Sequence, residues 1–220
     1  MRKYERRRIM TTDSILHEKI VERYKEESSQ ACILSCGTTL QELQIKPGDV
    51  ILDLGCGRGE ETIEAAGMAG PDGMAVGLDL TEEMVGQAVA NAVKAKRKNA
   101  SFIQGDIENL PFEAGVFDGV TSNCVINHAR DKSRVYREIH RVLKPEGRFV
   151  VSDAVTKYPL PTEVKNDEDA WAQCFGGAIT EEEYLESILT AGFRRIEILN
   201  RREYQKNGYD FISLTIKAVK

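Results

Sequence analysis

At 220 residues the chain is long enough for one sizeable hydrophobic core and short for two domains of about 150 residues each. A net charge of −5 argues against unspecific attraction to nucleic acid, and no apolar run approaches the ~20 residues that cross a bilayer. The opening MRKYERRRIM has neither the apolar centre nor the small-residue cleavage site of a secretion signal, so the expected setting is the cytoplasm, with a small-molecule substrate and no membrane or nucleic-acid partner.

Residues 1–14, rich in Arg and Lys and without apolar periodicity, read as a flexible extension, and 15–220 as a single domain. From Asp13, a candidate N-cap, Ile15, Leu16, Ile20, Val21 and Tyr24 recur at helical spacing and predict a helix lying over a sheet. A short helix through Thr38 to Leu43 leads into a Lys46-Pro47-Gly48 turn. The stretch VILDLGCGRG, Val50 to Gly59, reads as a buried strand running into a glycine turn that opens a helix, which brings bare backbone N–H groups close to a ligand. Its glycines, at 55, 57 and 59, miss the dinucleotide fingerprint, which requires a glycine where Glu60 stands.

Helical spacing from Glu60 to Ala69 is followed by a strand over 74–80 and by a helix that starts from a Thr81 N-cap with Glu82 and Glu83 in its first turn. Strands over 101–106 and 117–124, a helix from Asp131 to Leu143 and a strand over 147–153 come next. Strands separated by helices imply right-handed crossovers and a parallel sheet covered on both faces. Residues 154–176 read as an active-site flap, Thr180 opens a further helix and Gly192 closes it. Two strand-like runs, 194–203 and 209–219, flank Asn207-Gly208, so the chain ends in an antiparallel hairpin. The expected fold is a doubly wound, Rossmann-like α/β sheet of seven mostly parallel strands.

Open parallel sheets bind ligands beyond the carboxyl ends of their strands. Asp79, ending the second strand, is placed to accept hydrogen bonds from both hydroxyls of a ribose; the other reading is a turn aspartate. Asp106, ending the third, can face an adenine amino group with Ile107 against the ring, or serve as a turn former after Gly105. The five cysteines, at 32, 36, 56, 124 and 174, form no disulfide framework and read as free thiols; Cys56, between two glycines, reads as a small packing residue.

The segments DLGCGRG, GLDLT, GDIENLPF, FDGVTSN and VLKPEGRFVVSD, in order and at suitable intervals, resemble the class I S-adenosylmethionine-dependent methyltransferases. The resemblance implies S-adenosyl-L-methionine as cofactor, its amino-acid part cradled by Gly55, Gly57 and their neighbours Asp53 and Cys56. It implies further that Asp79 and Asp106 hold the nucleoside, with Leu80, Ile107 and Asn123 completing the lining.

Around TSNCVINHARDKSRVYREIHRVLKPEGRFVVSDAV and WAQCFGGAITEEEYLESILTAGF the chain is similar to a narrower group, the arsenite methyltransferases. That similarity implies that Cys124, Cys174 and an N-terminal cysteine, Cys36 in preference to Cys32, bind trivalent arsenic as thiolates. Thiolate-bound As(III) offers a lone pair and needs no general base. A carbon, nitrogen or oxygen acceptor, such as a quinone precursor, would need one, and His128 or Asp131 is the candidate. His128 stands where the arsenite group carries an apolar residue and is expected to be a partly exposed histidine near a helix start. His17 and His140 read as helix-surface residues. The chain lacks the long C-terminal extension of typical members of that group. Binding of cofactor or metalloid without turnover is a further reading; zinc is disfavoured, because the Cys-x-x-x-Cys pair has no downstream partner pair.

Overall fold

The computed structural model describes residues 12–27 and 39–220. Every residue of VILDL is apolar except Asp53, and a strand with no polar face must be covered on both sides. It becomes the buried strand β1 (Val50–Leu54), which pairs in parallel with β2 (Met74–Asp79) on one side and β4 (Phe117–Asn123) on the other. With β3 (Ala100–Gln104), β5 (Leu143–Thr156), β6 (Arg194–Lys206) and β7 (Tyr209–Val219), the sheet order is β3-β2-β1-β4-β5-β7-β6. The chain leaves β1 in one direction to build β2 and β3 and returns on its other side with β4. The crevice at this switch of direction, above the carboxyl ends of β1 and β4, is where such sheets take ligands.

The antiparallel member is β7, which pairs with both β5 and β6. Asn207 and Gly208 both have positive φ, 53° and 80°, as a two-residue hairpin turn of the primed kind requires. The fifth strand extends beyond the expected 147–153, because β7 continues its pairing as far as Thr156. A partner strand that arrives only after α6, α7, α8 and β6 is invisible to local pattern.

Helices α1 (Thr12–Glu27) and α2 (Thr39–Leu43) precede the sheet; α3 (Glu60–Ala69) and α4 (Glu82–Lys94) cross between its first strands. Helix α5 (Lys132–Val142) lies after β4, the short α6 (Thr162–Lys165) and α7 (Glu168–Ala172) after β5, and α8 (Glu181–Thr190) before β6. Helix α1 therefore begins inside the stretch expected as an extension. Tyr136 of α5, Tyr184 of α8 and Phe149 of β5 are fully buried in the main core; burying an aromatic ring of Phe type stabilises by about 1.5–3 kcal/mol. Thr180 and Glu183 form a reciprocal capping box at the start of α8.

At α4 the expected cap is only half realised. Thr81 occupies the N-cap position, but its hydroxyl makes no capping hydrogen bond. Asp79 acts there instead, its Oδ1 accepting from the Thr81 N–H at 2.9 Å. Residues 157–176 form no sheet; α7 packs on α1 through Trp171 against Leu16 and Ile20, while Lys19 Nζ lies 2.8 Å from Asp169 and 3.6 Å from Glu168. Among the described residues no helix is long and apolar enough to cross a membrane.

Candidate active site

The glycine turn after β1 is shaped by contacts that exclude side chains. Gly55 has φ +68°, and a Cβ built on it would lie 2.5 Å from Val125 Cγ2. Gly59, at φ +78°, is closed off by the Phe102 ring in the same way. Gly57 is the opposite case: nothing lies within 4 Å of where its Cβ would be, so this part of the turn faces open space. The turn is clamped from β2, with Gly55 and Cys56 N–H both donating to the Leu78 carbonyl and Gly57 N–H donating to Asp79 Oδ2 at 2.9 Å.

Two cavities meet at Gly55 and Tyr24. The first is lined by Asp79, Leu80, Asp106 and Ile107, with Ile20 and Tyr24 of α1 beside them. Asp79 uses one lone pair of each oxygen on backbone N–H groups, and a carboxylate has about four such sites, so it retains capacity for two more donors. Burial pushes its pKa up, while the Thr81 and Gly57 N–H groups pull it down. Asp106 Oδ1 accepts from Glu108 N–H at 2.8 Å, so its turn-forming role and its place on the cavity wall coexist.

The second cavity is lined by Asp53, Cys56, Gly57, Asn123, Cys124 and Cys174, among others. All nine residues expected to line a cofactor thus border one or other of the two joined cavities. Cys56 is buried, and burial drives its thiol pKa far upward, which agrees with packing and removes it as a nucleophile. Asn123 donates through Nδ2 to Glu61 Oε1 at 2.9 Å, and Glu61 also receives the Thr39 hydroxyl at 3.2 Å. Glu61 escaped the sequence reading because it sits in a helix whose acidic first turn has an ordinary explanation in the helix dipole.

Asp53 is 3 % exposed and accepts a 2.6 Å hydrogen bond from the Thr62 hydroxyl. Burial, reinforced by the neighbouring Glu61 carboxylate, raises its pKa from 3.8 to about 8. The folded state therefore holds a proton that the unfolded chain releases at lower pH, so this group's contribution to stability is present below about pH 4 and is lost as pH rises towards 8. Asp53→Asn, which keeps an acceptor for Thr62, is expected to flatten that decline by about 3–4 kcal/mol between pH 5 and 8. Denaturant melts at both pH values check it; a wild-type minus variant difference that does not change with pH would mean Asp53 titrates normally.

At the end of β4, Cys124 has φ +56°, and its N–H donates to the Ser152 carbonyl at 2.8 Å. Cys124 is disulfide-bonded, which corrects the expectation of free thiols throughout; spacing along the chain does not reveal which sulfurs meet in space. Cys36 and Cys32 lie outside the described residues. Cys174, also at positive φ (63°), is free and follows α7; its Sγ donates to the Cys124 carbonyl at 2.9 Å. The two segments that carry the expected thiols are therefore in contact. Burial pushes the Cys174 thiol up to about 11, opposed first by the Tyr24 hydroxyl.

His128 differs from expectation: it closes the 3-10 turn Ile126–His128, is 7 % exposed, and its Nε2 lies 2.7 Å from Cys174 Sγ and 3.0 Å from the Tyr24 hydroxyl. Burial, then Arg23, lowers its pKa to about 4, so the ring is neutral at physiological pH. Asp131, the other candidate base, is not brought to the cavities. It is the N-cap of α5, where its Oδ1 accepts from Arg134 N–H at 2.9 Å, a local task that competes with any role at the sheet. The His140 ring, expected on a helix surface, is half-buried edge-on against Phe193 at 5.1 Å; the side chain of His17 lies outside the described residues.

Two further groups were not singled out from the sequence. Tyr24 stood in the periodic pattern of α1 as an apolar residue, and only the packing of α1 over the strand ends turns its hydroxyl to the site. Asp153, near the end of β5, is 2 % exposed and lines the second cavity; its Oδ2 receives the Tyr184 hydroxyl at 3.1 Å while Oδ1 has no hydrogen-bond partner. Burial raises its pKa to about 6. A polar pair at the end of a buried strand, Ser152-Asp153, was the available signal.

Among known proteins, the family described as Methyltransferase domain matches residues 45–192. An arsenite methyltransferase of Halobacterium salinarum is 38% identical over 170 residues, which cover 77% of this chain and 44% of that protein. A demethylmenaquinone methyltransferase of Lactococcus lactis is 33% identical over 184 residues, covering 77% of this chain and 73% of that protein. The crystal structure of an arsenic(III) S-adenosylmethionine methyltransferase from Chlamydomonas reinhardtii superposes with a TM-score of 0.74 at 28% identity, over 93% of this chain and 73% of that one. The chain spans less than half the length of the curated arsenite methyltransferases it matches.

Proposed function

Because the chain belongs to the S-adenosylmethionine-dependent methyltransferase family, we propose that it methylates trivalent arsenic held by the thiols of Cys124, Cys174 and Cys36. The observation that carries this reading is the contact between Cys174 Sγ and the Cys124 carbonyl beside the glycine turn, which brings two soft ligands from distant segments to one cavity.

The residues present fit the cofactor. The Gly57 side of the turn is open, Gly55 admits no side chain, and Asp79 has acceptor capacity to spare. When bound, S-adenosylmethionine supplies an electrophilic methyl on a sulfonium. Asp79 and Asp106 would hold the nucleoside, Leu80 and Ile107 its base, and Asp53, Gly55, Gly57 and Asn123 the amino-acid end. Cys124 and Cys174 would hold arsenic with its lone pair free, so the protein's task is placement, and no proton has to be removed from the acceptor. Cys124 becomes a ligand only once its disulfide is reduced, which suits a reducing compartment such as the cytoplasm.

Incubating the purified chain with S-adenosylmethionine, arsenite and excess thiol should yield methylated arsenicals by mass spectrometry. Their absence, where calorimetry shows the cofactor bound, would end the reading. Asp79→Ala should weaken cofactor binding by about 1–3 kcal/mol, the scale of hydrogen bonds to a charged group, and an unchanged Kd would remove Asp79 from the site.

A second reading, methyl transfer to carbon, nitrogen or oxygen of a small metabolite such as a quinone precursor, is supported by the greater coverage of the Lactococcus lactis relative. His128 is the base it would use, and the neutral, buried ring can accept a proton only against its lowered pKa. Product formed from a reduced quinone and none from arsenite would select it.

A further inference from the structure

Three segments converge on one sulfur. Cys174 follows α7, His128 ends the turn after β4, and Tyr24 comes from α1. His128 Nε2 is 2.7 Å from Sγ and 3.0 Å from the Tyr24 hydroxyl, which is itself 3.5 Å from Sγ. On the other side of the ring, Nδ1 is buried with no hydrogen-bond partner. The Trp171 backbone carbonyl interacts with the ring and favours its protonated form. Cys174 directs its own S–H to the Cys124 carbonyl at 2.9 Å, so the 2.7 Å contact between Nε2 and Sγ is filled by the single proton of the neutral ring, on Nε2.

We propose that His128 is a positioning residue for Cys174: its Nε2–H, with the Tyr24 hydroxyl, fixes the sulfur at the acceptor cavity and stabilises it as the thiol proton leaves. The inference rests on the arsenite reading for its purpose, and on geometry for its substance. In the exchange that loads arsenic, Cys174 S–H and an As–OH bond break, S–As and O–H form, and water leaves; arsenic stays trivalent. The group whose charge changes is sulfur, and burial opposes its anion. A neutral donor supplies stabilisation without adding a buried charge. The arrangement is specific to a chain with histidine at 128, since an apolar residue there offers no donor.

Other charged and titratable groups act on the same pair. Arg23, beside Tyr24 on α1, and Lys206 of β6 favour the thiolate, whereas Asp153 of β5 disfavours it, and Tyr204 of β6 is coupled to Cys174. On the ring, Arg23 and Lys132 of α5 oppose a proton while Asp153 favours one, and Asp79 is coupled to it.

The test uses the full chain, reduced, with neither arsenic nor cofactor present. Alkylation of Cys174 by iodoacetamide is followed against pH by peptide-resolved mass spectrometry. His128→Leu is expected to slow alkylation about tenfold near pH 7.5 and move its midpoint up by about one pH unit. His128→Gln, which returns an N–H near Nε2, should stay within about threefold of wild type. Far-ultraviolet circular dichroism of each variant confirms folding. A His128→Leu profile identical to wild type overturns the proposal, and so does His128→Gln behaving like His128→Leu, which would make the ring an acid-base group or a spacer. Because the readout contains no arsenic, absence of methylated arsenicals with this profile intact would count against the substrate and not against His128.

Discussion

Replacing either Cys124 or Cys174 by serine is expected to lower arsenic methylation below about 1% of wild type while leaving cofactor affinity nearly unchanged. Serine is close in volume, so the cavity and its backbone remain, and the Ser hydroxyl can still donate where Cys174 Sγ donates to the Cys124 carbonyl. What is lost is a soft, polarisable ligand, and trivalent arsenic discriminates strongly between sulfur and oxygen. Loss of one of three thiolates both weakens binding and tilts the remaining lone pair away from its line of attack, a misplacement that alone costs about 100-fold. The residues proposed to hold the nucleoside, Asp79, Leu80, Asp106 and Ile107, line the other cavity, and serine preserves the shape of the cavity shared with Asp53, Gly57 and Asn123, so calorimetry with S-adenosylmethionine should give a Kd close to wild type. Turnover retained in both variants would assign these thiols to packing, the commonest fate of a buried cysteine. The disulfide at Cys124 adds a second arm to the same measurement: turnover should fall when the reductant is withdrawn, since an oxidised sulfur is no longer an anionic ligand.

How the site is assembled explains what could be read from the chain alone. VILDLGCGRG was legible because a buried strand, its terminal glycines and the following helix are consecutive residues governed by local sterics. Asp79 was legible for the same reason, being the last residue of a strand whose end the pattern marks, although its hold on Gly57 N–H depends on strand order. His128 was misjudged because its environment comes from α1, α7 and β5, none of them near it in sequence. Tyr24 had the opposite fate: periodicity correctly made it a helix-face residue and by that very success hid its hydroxyl. Asp131 attracted attention as a carboxylate near the acceptor segment, yet its backbone position at the start of α5 commits it to capping. Residues whose role is local chemistry are readable locally; those whose role is a three-way meeting are not.

Gly55 is where those two kinds of information join, and Gly55→Ala is expected to damage the fold and the site together. Two costs add. The residue sits at φ +68°, a left-handed conformation that costs a non-glycine residue about 1–2 kcal/mol. The new Cβ would also lie 2.5 Å from Val125 Cγ2 and 2.7 Å from Val125 Cβ, distances that no side-chain rotation alone can relieve. The backbone must move, and Val125 lies between Cys124 and the turn that holds His128, so the displacement reaches the acceptor side as well as the cofactor side. Overpacking of this kind adds about 1–3 kcal/mol. The expected total is a loss of about 2–5 kcal/mol in stability, with cofactor binding weakened at least tenfold in whatever remains folded. Gly57→Ala separates the two costs: it carries positive φ of 50°, but nothing lies within 4 Å of its Cβ, so its stability should fall by only the conformational part, about 1 kcal/mol. Denaturant midpoints of the two variants decide the matter. Equal losses would mean that Val125 yields freely and that the close approach of the glycine turn to the β4 loop does not hold the two halves of the site together.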